Sequence, residues 1–275
     1  MSARSRCEHL TTNHGDVWWL DETTWVRVSG LDEAHPRHRE RQEAVSELLA
    51  GRGMVVKARP EQAWTGLHLA VAGSGPLARQ VCKELLRSGL GRLDCLDPFA
   101  RNSEGQAVVR ALRARHRARI SWVDEVAELA GRGVDLVLVA PDTVEADRLL
   151  LAELVRQDIP HLLLGAHGDV GRIGPLVRPG RGPCQGCADL ARGQLETAWP
   201  QVVAALGCRR ARPHPTITGL VAARAVLAVG WLARGVDDGS GLQGRVEVID
   251  LFDPAPRRAS FGVHPDCGCR WHPQL

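Results

Sequence analysis

Four of the eight cysteines in this chain of 275 residues form two close pairs. Two residues separate Cys184 from Cys187, one residue separates Cys267 from Cys269, and glycine or proline stands beside each pair. Four thiolates can surround one Zn²⁺ ion tetrahedrally, and a shell made only of protein ligands is typical of a structural site rather than a catalytic one. We therefore predict a structural zinc site, with two pairs of unliganded buried thiols as the alternative.

A glycine loop is the second candidate site. Gly73, Gly75 and Ala78 fit the pattern G-x-G-x-x-G/A between an apolar run and a helical pattern. In such a loop the first glycine allows the turn, the second lets the backbone approach a phosphate, and the third small residue sits where helix meets sheet. Asp97 ends the next predicted strand, where a carboxylate can accept hydrogen bonds from ribose hydroxyls. The pattern predicts a nucleotide site, and a tight strand–helix turn without a ligand is the alternative.

Cys208 stands apart from both cysteine pairs. It precedes Arg209 and Arg210, whose positive charges would favour a nucleophilic thiolate. No paired base follows from the local sequence, so a cysteine without a role at the edge of solvent is the alternative.

The elements that must position these residues alternate between strand and helix from residue 66 onward. Continuous apolar strands in such an alternation predict an α/β, Rossmann-like fold, with a mostly parallel sheet covered by helices on both faces. Residues 170–215 are expected to be irregular, because glycine and proline occur throughout them. Strands are predicted at 67–73, 92–96, 135–140, 161–165 and 245–250, and helices at 76–88, 107–117, 144–157 and 216–234.

The first 63 residues have a different pattern of predicted strands and helices. Two alternating apolar runs, at 16–20 and 23–28, predict short strands, and residues 43–49 predict one short amphipathic helix. We therefore divide the chain into a small strand-plus-helix module at 1–63 and a main domain at 64–275 that carries the zinc knuckle.

Composition excludes several classes of protein. With 35 basic and 32 acidic residues the net charge is +3, which is too small to indicate a surface that binds nucleic acid. The most apolar late stretch, 217–231, is interrupted by Arg224 and is shorter than the 18 or so residues of a membrane span. The N-terminus has no apolar segment typical of a signal peptide. We expect a cytoplasmic protein that binds neither nucleic acid nor membrane.

Together these motifs resemble the ThiF/MoeB family, the ubiquitin-activating-enzyme-like adenylyltransferases, from about residue 66 to 275. The resemblance is carried by residues 73–78, 89–97, 135–143 and, most specifically, 179–187. It implies the use of ATP and Mg²⁺ to adenylate the C-terminal carboxylate of a small ubiquitin-like or sulfur-carrier protein. In that case Gly73, Gly75 and Asp97 would bind ATP, Asp142 would help to hold magnesium, and Cys208 could accept the activated carboxylate.

The chain departs from the family where the triphosphate would be neutralised. Phe99 replaces a second acidic residue, only Arg101 and Asn102 remain of an Asn-Leu-x-Arg-Gln segment, and no lysine follows Lys83. Such basic groups stabilise the charge that develops in the transition state, and the loss of one typically lowers the rate by a factor of about 10² or more. These departures predict a protein that is deficient in adenylation.

A divergent branch of the family resembles the chain more closely. Residues 174–190, the Ala198-Trp-Pro segment and residues 264–269 are similar to the ThiF-like partner proteins of azole- and azoline-forming peptide cyclodehydratases. This resemblance implies a fold that does not hydrolyse ATP but presents the leader of a ribosomally made precursor peptide to a YcaO-type enzyme. The leader would add a strand to an N-terminal winged-helix module, for which residues 14–50 are short.

Two further functions stay open at this point. A working adenylyltransferase would keep the nucleotide and magnesium residues in use. A nicotinamide-dependent oxidoreductase would use the glycine loop but explains neither cysteine pair. The family resemblance also implies a homodimer formed through the Rossmann domain, with the predicted helix at 217–234 contributing to it.

Overall fold

The computed structural model describes residues 4–5, 8–11, 17–20, 25–28, 44–45, 55–56, 62–96, 110–116, 118–233 and 241–270. Contacts within the chain divide it into two units, Met1–Pro60 and Glu61–Leu275. The first unit contains a three-stranded antiparallel sheet in the order β2-β3-β4 and a separate antiparallel pair, β1 with β5. Its strands are β1 (Arg4–Ser5), β2 (Glu8–Thr11), β3 (Val17–Leu20), β4 (Trp25–Val28) and β5 (Val55–Val56).

Both strands predicted for the first unit are confirmed as β3 and β4, and β2 adds a third that the pattern did not indicate. Of the helix predicted at 43–49, only residues 44–45 are described, and both are helical. Within the described residues β2 and β4 each pair with β3 alone, so they form the two edges of this sheet.

An eight-stranded sheet organises the second unit. Five parallel strands in the order β8-β7-β6-β9-β10 are extended by antiparallel β11, β12 and β13, which confirms the predicted α/β architecture. The strands are β6 (His68–Ala72), β7 (Arg92–Leu96), β8 (Arg119–Val123), β9 (Leu136–Val139), β10 (His161–His167), β11 (Val170–Val177), β12 (Arg245–Asp250) and β13 (Asp253–Ser260). The helices with assigned bounds are α1 (Gln62–Thr65), α2 (Pro76–Arg87), α3 (Val126–Arg132), α4 (Arg148–Arg156), α5 (Gln185–Leu195), α6 (Trp199–Cys208) and α7 (Pro215–Ala233).

Helices cover both faces of this sheet. Successive residues of a strand point to opposite faces, and in the central strands the residues on both faces are apolar. Leu69 and Val71 point to one face of β6, where they pack with helices α2 and α7. Ala70 and Ala72 point to the other, where they pack with α3 and α4. All four residues are fully or almost fully buried, as expected for a parallel strand covered on both sides. None of the helices within the described residues is long and apolar enough to cross a membrane.

The prediction that residues 170–215 are irregular was wrong. They form strand β11 and helices α5 and α6. Glycine and proline therefore do not interrupt regular secondary structure in this range, and glycine allows neighbouring elements to pack closely. Gly171 shows the reason: a Cβ added there would lie 2.4 Å from Cγ2 of Val221, because α7 crosses β11 closely. Strand β8 and helix α3 were not predicted either.

The helix predicted from residue 144 begins at Arg148 instead. The Asp147 carboxylate caps it by accepting a hydrogen bond from the Leu149 amide at 2.9 Å. Residues 142–144 lie alongside residues 209–211, where the Val144 amide donates to the Arg209 carbonyl at 2.9 Å. This tertiary pairing draws the residues before Asp147 out of the helix.

A buried histidine makes the stability of this sheet dependent on pH. His161 begins β10, is fully buried, and has a ring Nε2 without a hydrogen-bond partner among the described residues, while Nδ1 lies 3.0 Å from the Ile159 carbonyl oxygen. Burial lowers the pKa of His161 to about 4. Between the ordinary histidine pKa and this value the unfolded chain binds a proton that the folded chain excludes.

We expect the free energy of unfolding to fall as the pH drops from about 6.5 to 4, by up to about 3 kcal/mol from this group alone. The variant His161→Gln removes the titrating ring and should flatten this part of the pH profile, measured by urea denaturation at several pH values. A slope as steep as in the wild type would assign the acid sensitivity to other groups.

Candidate functional site

The candidate site lies where the order of the parallel strands reverses. The chain runs from β6 outward to β7 and β8, and then returns to the other side of β6 with β9 and β10. Loops that follow β6 and β9 therefore diverge and leave a crevice at the carboxyl ends of the strands, which is where α/β folds bind ligands. A cavity of about 1470 Å³ occupies this position, with walls from the glycine loop, residues 139–150, helices α5 and α6, and the turn at 264–268.

The glycine loop is built as the sequence predicts. Gly73 has a φ of +126°, and a Cβ added there would lie 2.1 Å from the Ala140 carbonyl oxygen, so only glycine fits between the loops that follow β6 and β9. Ala78 is buried, and its Cβ would lie 3.4 Å from that added Cβ, which agrees with the small position expected where helix meets sheet. Pro76 begins α2 directly after the loop.

The side chain of Asp142 occupies the donors of this loop. Its carboxylate accepts hydrogen bonds from the Ser74 amide at 3.2 Å, from the Ser74 hydroxyl at 3.0 Å and from the Gly75 amide. The backbone of Asp142 is in turn held by the Ala211 amide, which donates to its carbonyl at 2.8 Å. Asp142, predicted as a magnesium ligand, thus lies beside the loop but is bonded to the loop itself. Asp97, predicted to bind ribose, lies outside the described residues.

Two further side chains line this cavity: Arg79, which the sequence analysis did not indicate, and Cys208, which it did. Arg79, in the second turn of α2, has a fully enclosed Nε with no hydrogen-bond partner among the described residues. Cys208 is exposed at the end of α6 and lines the cavity, but no described base is hydrogen-bonded to its thiol. The geometry therefore keeps Cys208 accessible without activating it.

An ion-pair network that sequence reasoning missed supports the cavity. Arg148 bonds Asp189 on α5 at 2.7 Å and Glu145 at 3.0 Å, while Arg172 of β11 bonds the other oxygen of Glu145 at 2.6 Å. The indole Nε1 of Trp199 donates to Asp189 at 3.1 Å. The network ties α4, α5, α6 and β11 together, and local spacing could not have indicated its long-range pairs, Arg148 with Asp189 and Arg172 with Glu145.

The four cysteines of the two predicted pairs come together against this cavity. Their sulfurs lie within 4.8 Å of one another, with 3.6 Å between Cys184 and Cys267, 3.5 Å between Cys187 and Cys269, and 4.0 Å between Cys184 and Cys187. Gly186 lies beside them, and an added Cβ would stand 3.4 Å from two of the sulfurs. Metal–sulfur bonds of about 2.3 Å in a tetrahedron require sulfurs about 3.8 Å apart, so the donor set fits one ion.

Burial acts against the thiolate form of three cysteines in this cluster, Cys184, Cys187 and Cys269. Burial raises the pKa of Cys184 well above its usual range and raises that of Cys269 to about 12. For Cys187 burial acts in the same direction, but hydrogen bonds with the backbone of His264 and Cys184 outweigh it and lower its pKa. A dication would ionise all four thiols, so the residues could hold a metal ion whose binding releases protons.

We expect the purified protein to carry about one zinc ion per chain, and the variants Cys184→Ser and Cys267→Ser to lose it and melt at a lower temperature. The matched control is Cys208→Ser, which changes an exposed cysteine outside the cluster and should keep both zinc and melting temperature. Metal content by mass spectrometry and thermal melting measure this. Equal zinc content in all three variants would contradict the site.

Comparison with known proteins identifies the fold. The sequence matches no family model and no curated protein. The structure is similar to E. coli MccB bound to ATP, with a TM-score of 0.67 and 13% identity over 96% of this chain and 97% of that one. It is also similar to the microcin C7 biosynthetic enzyme MccB in complex with N-formylated MccA (TM-score 0.68, 12% identity, 96% and 98% covered) and to PaaA (0.60, 13%, 94% and 99%). The predicted resemblance to ThiF-like proteins is confirmed at the level of the fold, which this chain shares with MccB.

Proposed function

We propose that this chain binds a ribosomally made precursor peptide and presents it to a YcaO-type cyclodehydratase without adenylating the peptide itself. The observation that carries the proposal is the three-stranded antiparallel sheet of the first unit, whose edges β2 and β4 are unpaired within the described residues. An unpaired edge offers a row of amides and carbonyls to an extended peptide, which binds as an added strand.

The similarity to MccB supports a peptide as the partner. MccB was crystallised with MccA, its peptide substrate, and the match covers almost all of both chains, including the first unit of this one. The main domain supports the second part of the proposal, that the chain does not adenylate the peptide itself. Three donors of its glycine loop are taken by Asp142, and Lys83, the lysine among the described residues, does not line the cavity.

The rest of the predicted setting belongs to the same proposal. Zinc in the cysteine cluster would be structural, holding the turn at 264–270 to the start of α5. A homodimer would use α7, which exposes Leu220 and Leu227 to solvent. We keep the cytoplasmic location as a prediction.

ATP-dependent adenylation is the second candidate, and the cavity itself favours it. The loop retains Gly73 and Gly75, Asp142 stands beside it, and Cys208 is accessible on the same cavity. MccB was crystallised with ATP and with its analogue AMPCPP in the presence of MccA. In this function Asp142 would leave the loop to hold magnesium, and the C-terminal carboxylate of a peptide or small carrier protein would be activated.

Exchange of labelled pyrophosphate into ATP separates the two candidates. With Mg²⁺ and a candidate precursor peptide, sought among the genes neighbouring that of this chain, we expect the zinc-loaded protein to show no exchange above background. A working adenylyltransferase forms an acyl adenylate reversibly and would exchange at once. Exchange that depends on both magnesium and the peptide would therefore replace the first proposal by the second.

Proline substitutions test the added strand. Neighbouring amides of an edge strand point alternately toward the sheet and toward the open edge. Of two proline variants at neighbouring residues, one therefore removes an amide of the open edge and leaves the hydrogen bonds within the sheet intact. We expect one of His9→Pro and Leu10→Pro, or one of Val26→Pro and Arg27→Pro, to lower precursor-peptide affinity about tenfold or more without changing the melting temperature. Fluorescence anisotropy with the labelled peptide measures this. Full affinity in all folded variants would exclude these edges as the binding surface.

A further inference from the structure

We propose that the Asp142 carboxylate is an internal ligand that keeps the glycine loop closed to phosphate. The proposal goes beyond peptide presentation, because it rests only on contacts inside the cavity of the second unit.

One carboxylate accepts hydrogen bonds from three donors of the loop. It accepts from two successive backbone amides and from the hydroxyl of Ser74 between them. Amides at the start of a helix are the donors that hold a phosphate in loops of this kind, so the carboxylate and a phosphate would compete for the same groups. The absence of a side chain at Gly75 lets the carboxylate approach, because an added Cβ would lie 2.5 Å from Oδ1 of Asp142.

The backbone that carries the Asp142 carboxylate is also held in place by hydrogen bonds. The carbonyl of Asp142 accepts from the Ala211 amide at 2.8 Å, Thr143 forms a β-bridge with Arg210, and Val144 bonds the carbonyl of Arg209. These contacts join the segment that carries Asp142 to the end of helix α6. Opening the loop therefore requires the Asp142 side chain to rotate away, or this short backbone pairing to separate.

The charges on the cavity show what the closed loop excludes. Within the described residues Asp142 forms no ion pair, and Arg79 on the same cavity has an enclosed Nε without an acceptor. A phosphate could give Arg79 its missing acceptor, but the phosphate charge would then face the Asp142 carboxylate. Like charges so placed repel strongly when water is excluded. The loop should therefore bind phosphate weakly until Asp142 is neutralised or displaced.

Binding of ATP in Mg²⁺-free buffer, followed by calorimetry on the zinc-loaded protein, tests the proposal. The variant Asp142→Asn keeps the shape of the side chain and removes its charge, and we expect it to bind ATP at least about tenfold more tightly than the wild type. The matched control is Asp147→Asn, which makes the same change of charge on the same cavity and retains a residue that caps α4. It should alter the affinity by less than about twofold.

Unchanged or weaker binding by Asp142→Asn would overturn the proposal, and so would an equal gain in Asp147→Asn, because a general charge effect would then explain both. If the melting curve shows that Asp142→Asn does not fold, Ser74→Ala decides. It removes one hydrogen bond to the carboxylate and leaves both amides in place, so we expect a gain of about threefold, and no gain would overturn the proposal. The readout is nucleotide binding, so failure of the peptide proposal would leave this result intact.

Discussion

The contact between two loops at the carboxyl ends of β6 and β9 is the constraint on which the rest of the second unit depends. Gly73 lies against the carbonyl of Ala140, so closely that no side chain fits between the two loops. The same approach brings the amides at the start of α2 within reach of Asp142. Buried amides must find acceptors, and here the protein supplies one from its own chain. The crevice at the carboxyl ends of the strands is thereby retained while three donors of its glycine loop already have an acceptor.

The opposite wall of the cavity depends on the cysteine cluster. Cys184 and Cys187 begin helix α5, and one turn further on Asp189 of the same helix bonds Arg148 and Trp199. Whatever holds the four sulfurs together therefore also sets the position of α5 and of the residues that bond to it. A metal ion there would act on the shape of the cavity through helix α5.

Local pattern predicted the parts of the site that come from one short segment. The glycine loop, the small residue Ala78 and the two cysteine pairs are each defined by spacing over a few residues, and spacing is visible in sequence. The links of Asp189 to Arg148 and Trp199 were missed because these residues meet only when α4, α5 and α6 pack. The error at residues 170–215 has a similar origin. Glycines there, such as Gly171, allow close packing against α7, and a rule based on local propensity treats them as breaks.

The sequence by itself determined the alternation of strand and helix, the two-sided burial of the central strands and which four cysteines come together, because each follows from periodicity or spacing along the chain. Only the tertiary structure decided which acceptor satisfies the glycine loop. Asp142 lies 68 residues after Ser74, and the reversal of strand order at β6 brings the two together. The physical reason is general: backbone donors at a helix start bind any suitable oxyanion, and which one they meet depends on the neighbours that the fold supplies.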